Sequence, residues 1–193
     1  MVLAAGRGER MRPLSDALPK PALPLPNGPV VASALRLAAA AGIRSVTVNL
    51  WHLAARMEQA LGRVDLPGVR IATSREPALM GTAGGLALAR RCGLLGQDGP
   101  VLVVNGDCLL SLELAPLLER AAAAGDLVTL GLMPHPDPER WSRVVLAGAG
   151  TVTAMLPPGS ATPGETPYLC PGVMVVSRAA LDAVPVEALV SKS

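Results

Sequence analysis

The chain has 193 residues, half of them apolar and only 17% charged, with a net charge of +2 at neutral pH. That balance supports one domain-sized core and excludes a disordered, highly charged chain. The small charge is spread along the chain and aromatics are 2% with no phenylalanine, which argues against nucleic-acid partners.

Short apolar runs alternate with longer amphipathic stretches, the pattern of an α/β sheet. Val2 to Ala4 reads as a strand leading into a Gly- and Pro-rich loop that reaches Gly28. A helix from Pro29 to Ala41 closes at Gly42, and a strand follows from Val46 to Asn49. Next come a helix from His52 to Leu61, a strand from Val69 to Thr73 and a helix from Thr82 to Arg91. Val101 to Val104 is a continuous apolar run, suited to a strand covered on both faces. A helix from Leu112 to Ala124 stops at Gly125, with Ser111 the expected cap. Leu127 to Leu132, Arg143 to Leu146 and Thr151 to Met155 read as β runs forming hairpins beside the sheet. Met155 to Pro171 reads as loop, before a strand from Val173 to Val176 and a short helix from Arg178. No repeat or linker divides the chain, so residues 1–193 read as a single domain.

Neither a membrane span nor a signal peptide is expected. Arg36 interrupts the apolar stretch from Val30 to Ile43, and Met1 to Ala5 carries no basic lead. Cys92, Cys108 and Cys170 are odd in number and form no CxxC pair, which disfavours disulfides and zinc and points to the cytoplasm.

In open α/β sheets, ligands bind beyond the carboxyl ends of the strands. Two loops stand there. The first runs from Leu3 through Ala4, Ala5, Gly6, Arg7 and Gly8 to Arg10, and glycines after a strand let backbone N–H groups approach a phosphate. Arg10 adds a fork of donors. A tight turn would need the same glycines, so the pattern alone leaves both readings open. It is no dinucleotide fingerprint, because Met11 replaces the third glycine. Further along, Pro19-Lys20-Pro21 holds a cation between two rigid residues. The second loop, Asn105-Gly106-Asp107, delivers a carboxylate at a strand end, where a hard cation such as Mg²⁺ is commonly held. Glu76-Pro77 precedes a Gly-rich helix start, Gly81-Thr82-Ala83-Gly84-Gly85, which permits close approach of a flat ring or a sugar.

The order LAAGRGERMRPL, PKPAL, GTAGG, NGD resembles the nucleotide-sugar pyrophosphorylases, the sugar-1-phosphate nucleotidyltransferases, with Ser15 where their pattern has threonine. It is most like the mannose-1-phosphate guanylyl- and muramic-acid-phosphate uridylyltransferase members. The resemblance implies a Rossmann-like mixed, mostly parallel sheet flanked by helices, and transfer of a nucleotidyl group from a nucleoside triphosphate to a sugar 1-phosphate. It implies that Leu3, Ala4, Ala5, Gly6, Gly8, Gly81, Thr82 and Gly84 bind the nucleotide. Arg10 is then expected on the β and γ phosphates, Lys20 at the reacting phosphates and Asp107 on Mg²⁺, these three forming the catalytic set. Gly85, Asn105 and Gly172 are expected at the sugar. GTP or UTP with a hexose 1-phosphate is the expected pair, and a homo-oligomer stays open.

Two family features lack a match. Of the Glu-Lys pair that often reaches the sugar, Met155 to Thr166 offers only Glu165. A second metal-binding aspartate belongs to a segment beyond the last strand, which the chain is expected to lack, and Asp182 is expected to be merely solvated. A nucleotide-binding domain without turnover therefore remains an alternative. A dehydrogenase is disfavoured by Met11, and a molybdenum-cofactor nucleotidyltransferase by the late position of Lys20. His52 and His135 have no partner at metal spacing and read as exposed or capping residues, Cys108 as packed, and Trp51 and Trp141 as packing or rim residues.

Overall fold

The computed structural model describes residues 1–148, 150–160 and 166–184. In chain order it contains β1 (Val2–Leu3), α1 (Leu14–Ala17), β2 (Pro24–Leu25), β3 (Gly28–Pro29), α2 (Val31–Ala40), β4 (Ser45–Leu50) and α3 (Ala54–Leu61). These are followed by β5 (Arg70–Arg75), α4 (Gly81–Arg91), β6 (Val101–Asn105), α5 (Ala115–Ala124), β7 (Val128–Leu130) and β8 (Met133–Pro134). Then come β9 (Arg143–Ala147), β10 (Thr151–Leu156), β11 (Tyr168–Leu169), β12 (Val173–Val176) and α6 (Arg178–Asp182).

The main sheet has the order β5-β4-β1-β6-β12-β7. β1 pairs in parallel with β4 on one side and β6 on the other, and β4 pairs in parallel with β5. β12 runs antiparallel to both β6 and β7. The architecture is α/β with a mixed, mostly parallel sheet. Successive residues of a strand face opposite sides, and β6 shows the consequence. Leu102 and Val104 enter one core with Val31, Leu35, Val48 and Met57, whereas Val103 enters the other with Leu86, Ala89 and Leu181. Burying one such valine stabilises the fold by roughly 1.5–3 kcal/mol, so a strand apolar throughout is what two covered faces demand.

A second, antiparallel sheet has the order β10-β9-β11-β8. Of the β runs expected to form hairpins, Arg143 to Leu146 and Thr151 to Met155 form the β9–β10 hairpin of this second sheet, whereas Leu127 to Leu132 gives β7, which joins the edge of the main sheet against β12. β11 falls inside the stretch expected to be loop. A two-residue strand shows no periodicity; its partners, Tyr168 with Pro134 and Val144, and Leu169 with Met133, are distant in sequence. Glu165 lies outside the described residues.

Three helices start later than their apolar pattern suggests. Gly28–Pro29 pairs with Pro24–Leu25 in a hairpin, so α2 begins at Val31. Leu53 takes a left-handed conformation (φ 48°), which a helix cannot contain, and α3 begins after it. α5 begins at Ala115 with Pro116 in its first turn, where the missing N–H costs nothing. Ser111 therefore caps nothing, and the Ncap position belongs to Leu114, which gives no side-chain cap.

Candidate active site

β1 is only two residues long, and its register with both neighbours levels Leu3 with Asn49 of β4 and Asn105 of β6. The three carboxyl ends thus open on one place. A cavity of about 250 Å³ stands there, walled by Leu3, Ala4, Ala5, Gly6 and Gly8 from the first loop and by Asn49, Asn105 and Asp107 from the neighbouring strand ends. Lys20 and Pro21 close one side, and Leu79, Gly81 and Thr82 close the other. Gly106 makes the convergence of β1 and β6 feasible: a Cβ there would lie 2.9 Å from the Leu3 carbonyl oxygen and 2.9 Å from Val2 Cγ1.

Lys20 begins a 3-10 turn, and the prolines on either side of it are buried. The cation is thereby presented by a rigid, anchored backbone. Its Nζ donates to Asp107 Oδ2 at 2.8 Å, across 87 residues of sequence. The two side chains are 32% and 36% exposed, so the pair is worth only about 1 kcal/mol and is open to exchange for an incoming anion. Gly8 (φ +64°) turns the first loop beneath this lysine, and a Cβ there would crowd Lys20 Cβ and Ser15 Cβ at 3.3 Å. At Gly6 a Cβ would meet nothing within 4 Å, so its backbone faces open space. His52 Nε2 donates to the Ser15 carbonyl at 2.8 Å, pinning the far end of the loop; it is half-buried rather than exposed.

A buried hydrogen-bond chain joins the two walls. The Ala4 N–H donates to Asn49 Oδ1 at 2.7 Å, Asn49 Nδ2 donates to Glu76 Oε1 at 2.7 Å, and Met80 N–H donates to Glu76 Oε2 at 3.0 Å. Gly85 has to be glycine to admit it, since a Cβ would stand 2.6 Å from Glu76 Oε1 and 3.0 Å from Asn49 Nδ2. Asn49, which lines the cavity, and Glu76, which holds it, were not among the site residues expected from the sequence. Two signals pointed to them: an amide near the carboxyl end of a buried strand, and a carboxylate placed before a Gly-rich helix.

The remaining expected residues sit elsewhere. Arg10 is not among the residues lining the cavity; its guanidinium lies over the Trp141 ring, 5.7 Å from the centroid. Gly84 and Gly85 are buried within α4, and Gly85 touches the site only through Asn49 and Glu76. Gly172 (φ +91°) is pressed against Asn105, whose Nδ2 would be 2.2 Å from a Cβ there, so it shapes Asn105 instead of facing the cavity. Asp182 is exposed, as expected, and is also ion-paired with Arg90, since α6 packs on α4. Cys108, next to Asp107, has its thiol pushed up to about 11, by burial first and then by the Asp107 charge. It is a protonated packing group.

The family model for nucleotidyl transferases matches residues 1–156. The chain belongs to the nucleotidyl transferase family. An N-acetylmuramate alpha-1-phosphate uridylyltransferase of Neisseria meningitidis is 41% identical over 139 residues, covering 72% of this chain and 59% of that protein. A mannose-1-phosphate guanylyltransferase of Mycobacterium tuberculosis is 33% identical over 185 residues, covering 96% of this chain and 50% of that protein. The chain thus spans between half and three-fifths of these two relatives. In fold it is similar to HddC from Yersinia pseudotuberculosis, solved with GMP-PN, at a TM-score of 0.79 and 17% identity, covering 95% of this chain and 78% of that one. Among the described residues no group of three or more His, Cys, Asp or Glu is placed to hold a metal, and no helix is long and apolar enough to cross a membrane.

Proposed function

We propose that this chain transfers a nucleotidyl group from a nucleoside triphosphate, GTP or UTP, to a hexose 1-phosphate, releasing pyrophosphate, in the cytoplasm. One observation carries the reading. Lys20 and Asp107, distant in sequence, meet at 2.8 Å on the wall of a cavity whose floor is the glycine-bearing backbone after β1. The two relatives quoted above are named for uridylyl and guanylyl transfer to sugar 1-phosphates, which supports the same substrate class here.

The reaction needs little acid–base help, because the attacking oxygen of a sugar 1-phosphate is already ionised. That oxygen forms a bond to the α-phosphorus as the bond to the bridging oxygen breaks, and pyrophosphate leaves with the electron pair. The obstacle is bringing two anions into line. Lys20, held by its prolines, would neutralise charge at the reacting phosphates. The loop backbone from Ala4 to Gly8 would receive the nucleotide phosphates, and Thr82 at the start of α4 would face the base or the sugar. Asn49 and Glu76 would hold the two walls at a fixed separation.

Asp107 fits a magnesium ion in part. It offers one partly exposed carboxylate on the cavity wall, the kind of site Mg²⁺ completes with phosphate and water oxygens. Bound there, Mg²⁺ would supply charge neutralisation of the phosphates. Pyrophosphate release, measured with five nucleoside triphosphates against a panel of sugar 1-phosphates, tests the proposal. Release that chelation with EDTA abolishes is the expected result. Nucleotide binding with no release from any pair would replace the reading with that of a binding domain.

A further inference from the structure

The chain has two tryptophans, in different loops, and each has an arginine of the first loop over its ring. Arg7 lies 5.0 Å from the centroid of Trp51, and Arg10 lies 5.7 Å from that of Trp141. Trp141 carries a second cation, Arg140, at 5.4 Å. Two like charges on one exposed indole repel each other, and cation–π contacts at exposed sites are weak. Among the described residues neither Arg10 nor Arg140 has an ion-pair partner. An anion held by both guanidiniums would offset that repulsion.

The turn that presents Trp141 is braced. Asp137 N–H donates to His135 Nδ1 at 3.1 Å, which leaves the ring proton on Nε2 to donate to the Ser142 carbonyl at 3.1 Å. The N–H groups of Arg140 and Trp141 both reach the Asp137 carbonyl at 3.2 Å. Arg10, for its part, stands two residues beyond Gly8 of the cavity wall. The pair of guanidiniums therefore sits at the rim of the phosphate loop. Each fork matches the oxygens of one phosphate, and two together match a diphosphate.

We infer that Trp141 gathers Arg10 and Arg140 into a two-guanidinium site for the diphosphate end of the triphosphate and for the pyrophosphate that leaves. Arg140 is the added ligand and Trp141 the positioning residue. The inference rests on the nucleotidyl-transfer reading, which supplies the anion.

Trp51→Phe leaves Trp141 as the single indole, and its fluorescence is followed as inorganic pyrophosphate, a nucleoside triphosphate or the matching monophosphate is added. A saturable change with the first two and none with the monophosphate is expected. Arg140→Ala should weaken pyrophosphate binding about tenfold, with Arg140→Lys in between and the melting temperature unchanged. Trp141→Phe should raise KM for the triphosphate about two- to fivefold while leaving kcat and the KM for sugar 1-phosphate unchanged. A flat pyrophosphate titration, an equal response to the monophosphate, or wild-type affinity in Arg140→Ala would overturn the inference. The two readings fail separately: transfer with a flat titration sinks only the rim site, and pyrophosphate binding without transfer sinks only the enzymatic reading.

Discussion

The two sheets make opposite use of their residues. In the main sheet β4 is buried from Val46 to Leu50, and the strand ends Leu3, Asn49 and Asn105 line the cavity. In the second sheet β10 is largely exposed, with Val152 40% and Met155 65% accessible, and no residue of β8 to β11 lines the cavity. Yet the β8–β9 connection places Trp141 against Arg10. A sheet buried on both faces can fix atoms to a fraction of an ångström, and it carries the groups proposed to react. A half-exposed sheet fixes little, but it can carry a loop to the rim.

The largest expected effect tests the rigid side of this contrast. Lys20→Ala and Asp107→Ala should each lower pyrophosphate release by a hundredfold or more. Because the pair is about one-third exposed, urea unfolding should move by no more than about 1 kcal/mol. A large loss of stability would instead make the pair a structural clamp. Gly85→Ala, which drives a Cβ against Glu76, should cost about 1–3 kcal/mol in the same unfolding experiment. Gly6→Ala should cost less than about 0.5 kcal/mol, since its Cβ meets open space, yet weaken nucleotide affinity in calorimetry. Equal stability losses at both glycines would erase the distinction drawn between wall and scaffold.

A direct comparison of the sheets pairs Val103→Ala with Val152→Ala. The first should lose about 2 kcal/mol of unfolding free energy and the second less than about 0.5. The smallest effect concerns pH. The Cys108 thiol is pushed from 9.0 to about 11, so the folded state holds its proton where the unfolded chain has released it. The stability it contributes is complete below pH 9 and is lost as pH rises towards 11. Cys108→Ala should flatten that alkaline fall in thermal melts. At pH 8 exposed Cys92 should alkylate well before Cys108 by mass spectrometry.

Much of this was legible in the residues. Alternating apolar runs announced the α/β sheet, and the run from Val101 to Val104 announced a strand covered on both faces. Lys20 between prolines and Asp107 after Gly106 stood out because their local backbone is dictated by neighbours in sequence. β11 was hidden, since two residues carry no period and its pairing is wholly non-local. The helix starts were displaced for a similar reason: the β2–β3 pairing and the left-handed Leu53 override an apolar pattern that continues past them.

By itself, then, the sequence determined the fold class, the two candidate loops at the strand ends and their charged groups, because propensity, periodicity and turn chemistry act over short stretches of chain. Only the tertiary structure decided which groups meet. It joined Ala4 to Glu76 through Asn49, set Lys20 against Asp107, and drew Arg10 out of the cavity onto Trp141. These contacts depend on strand register and on which loops share an end of the sheet, quantities fixed by packing across the whole chain.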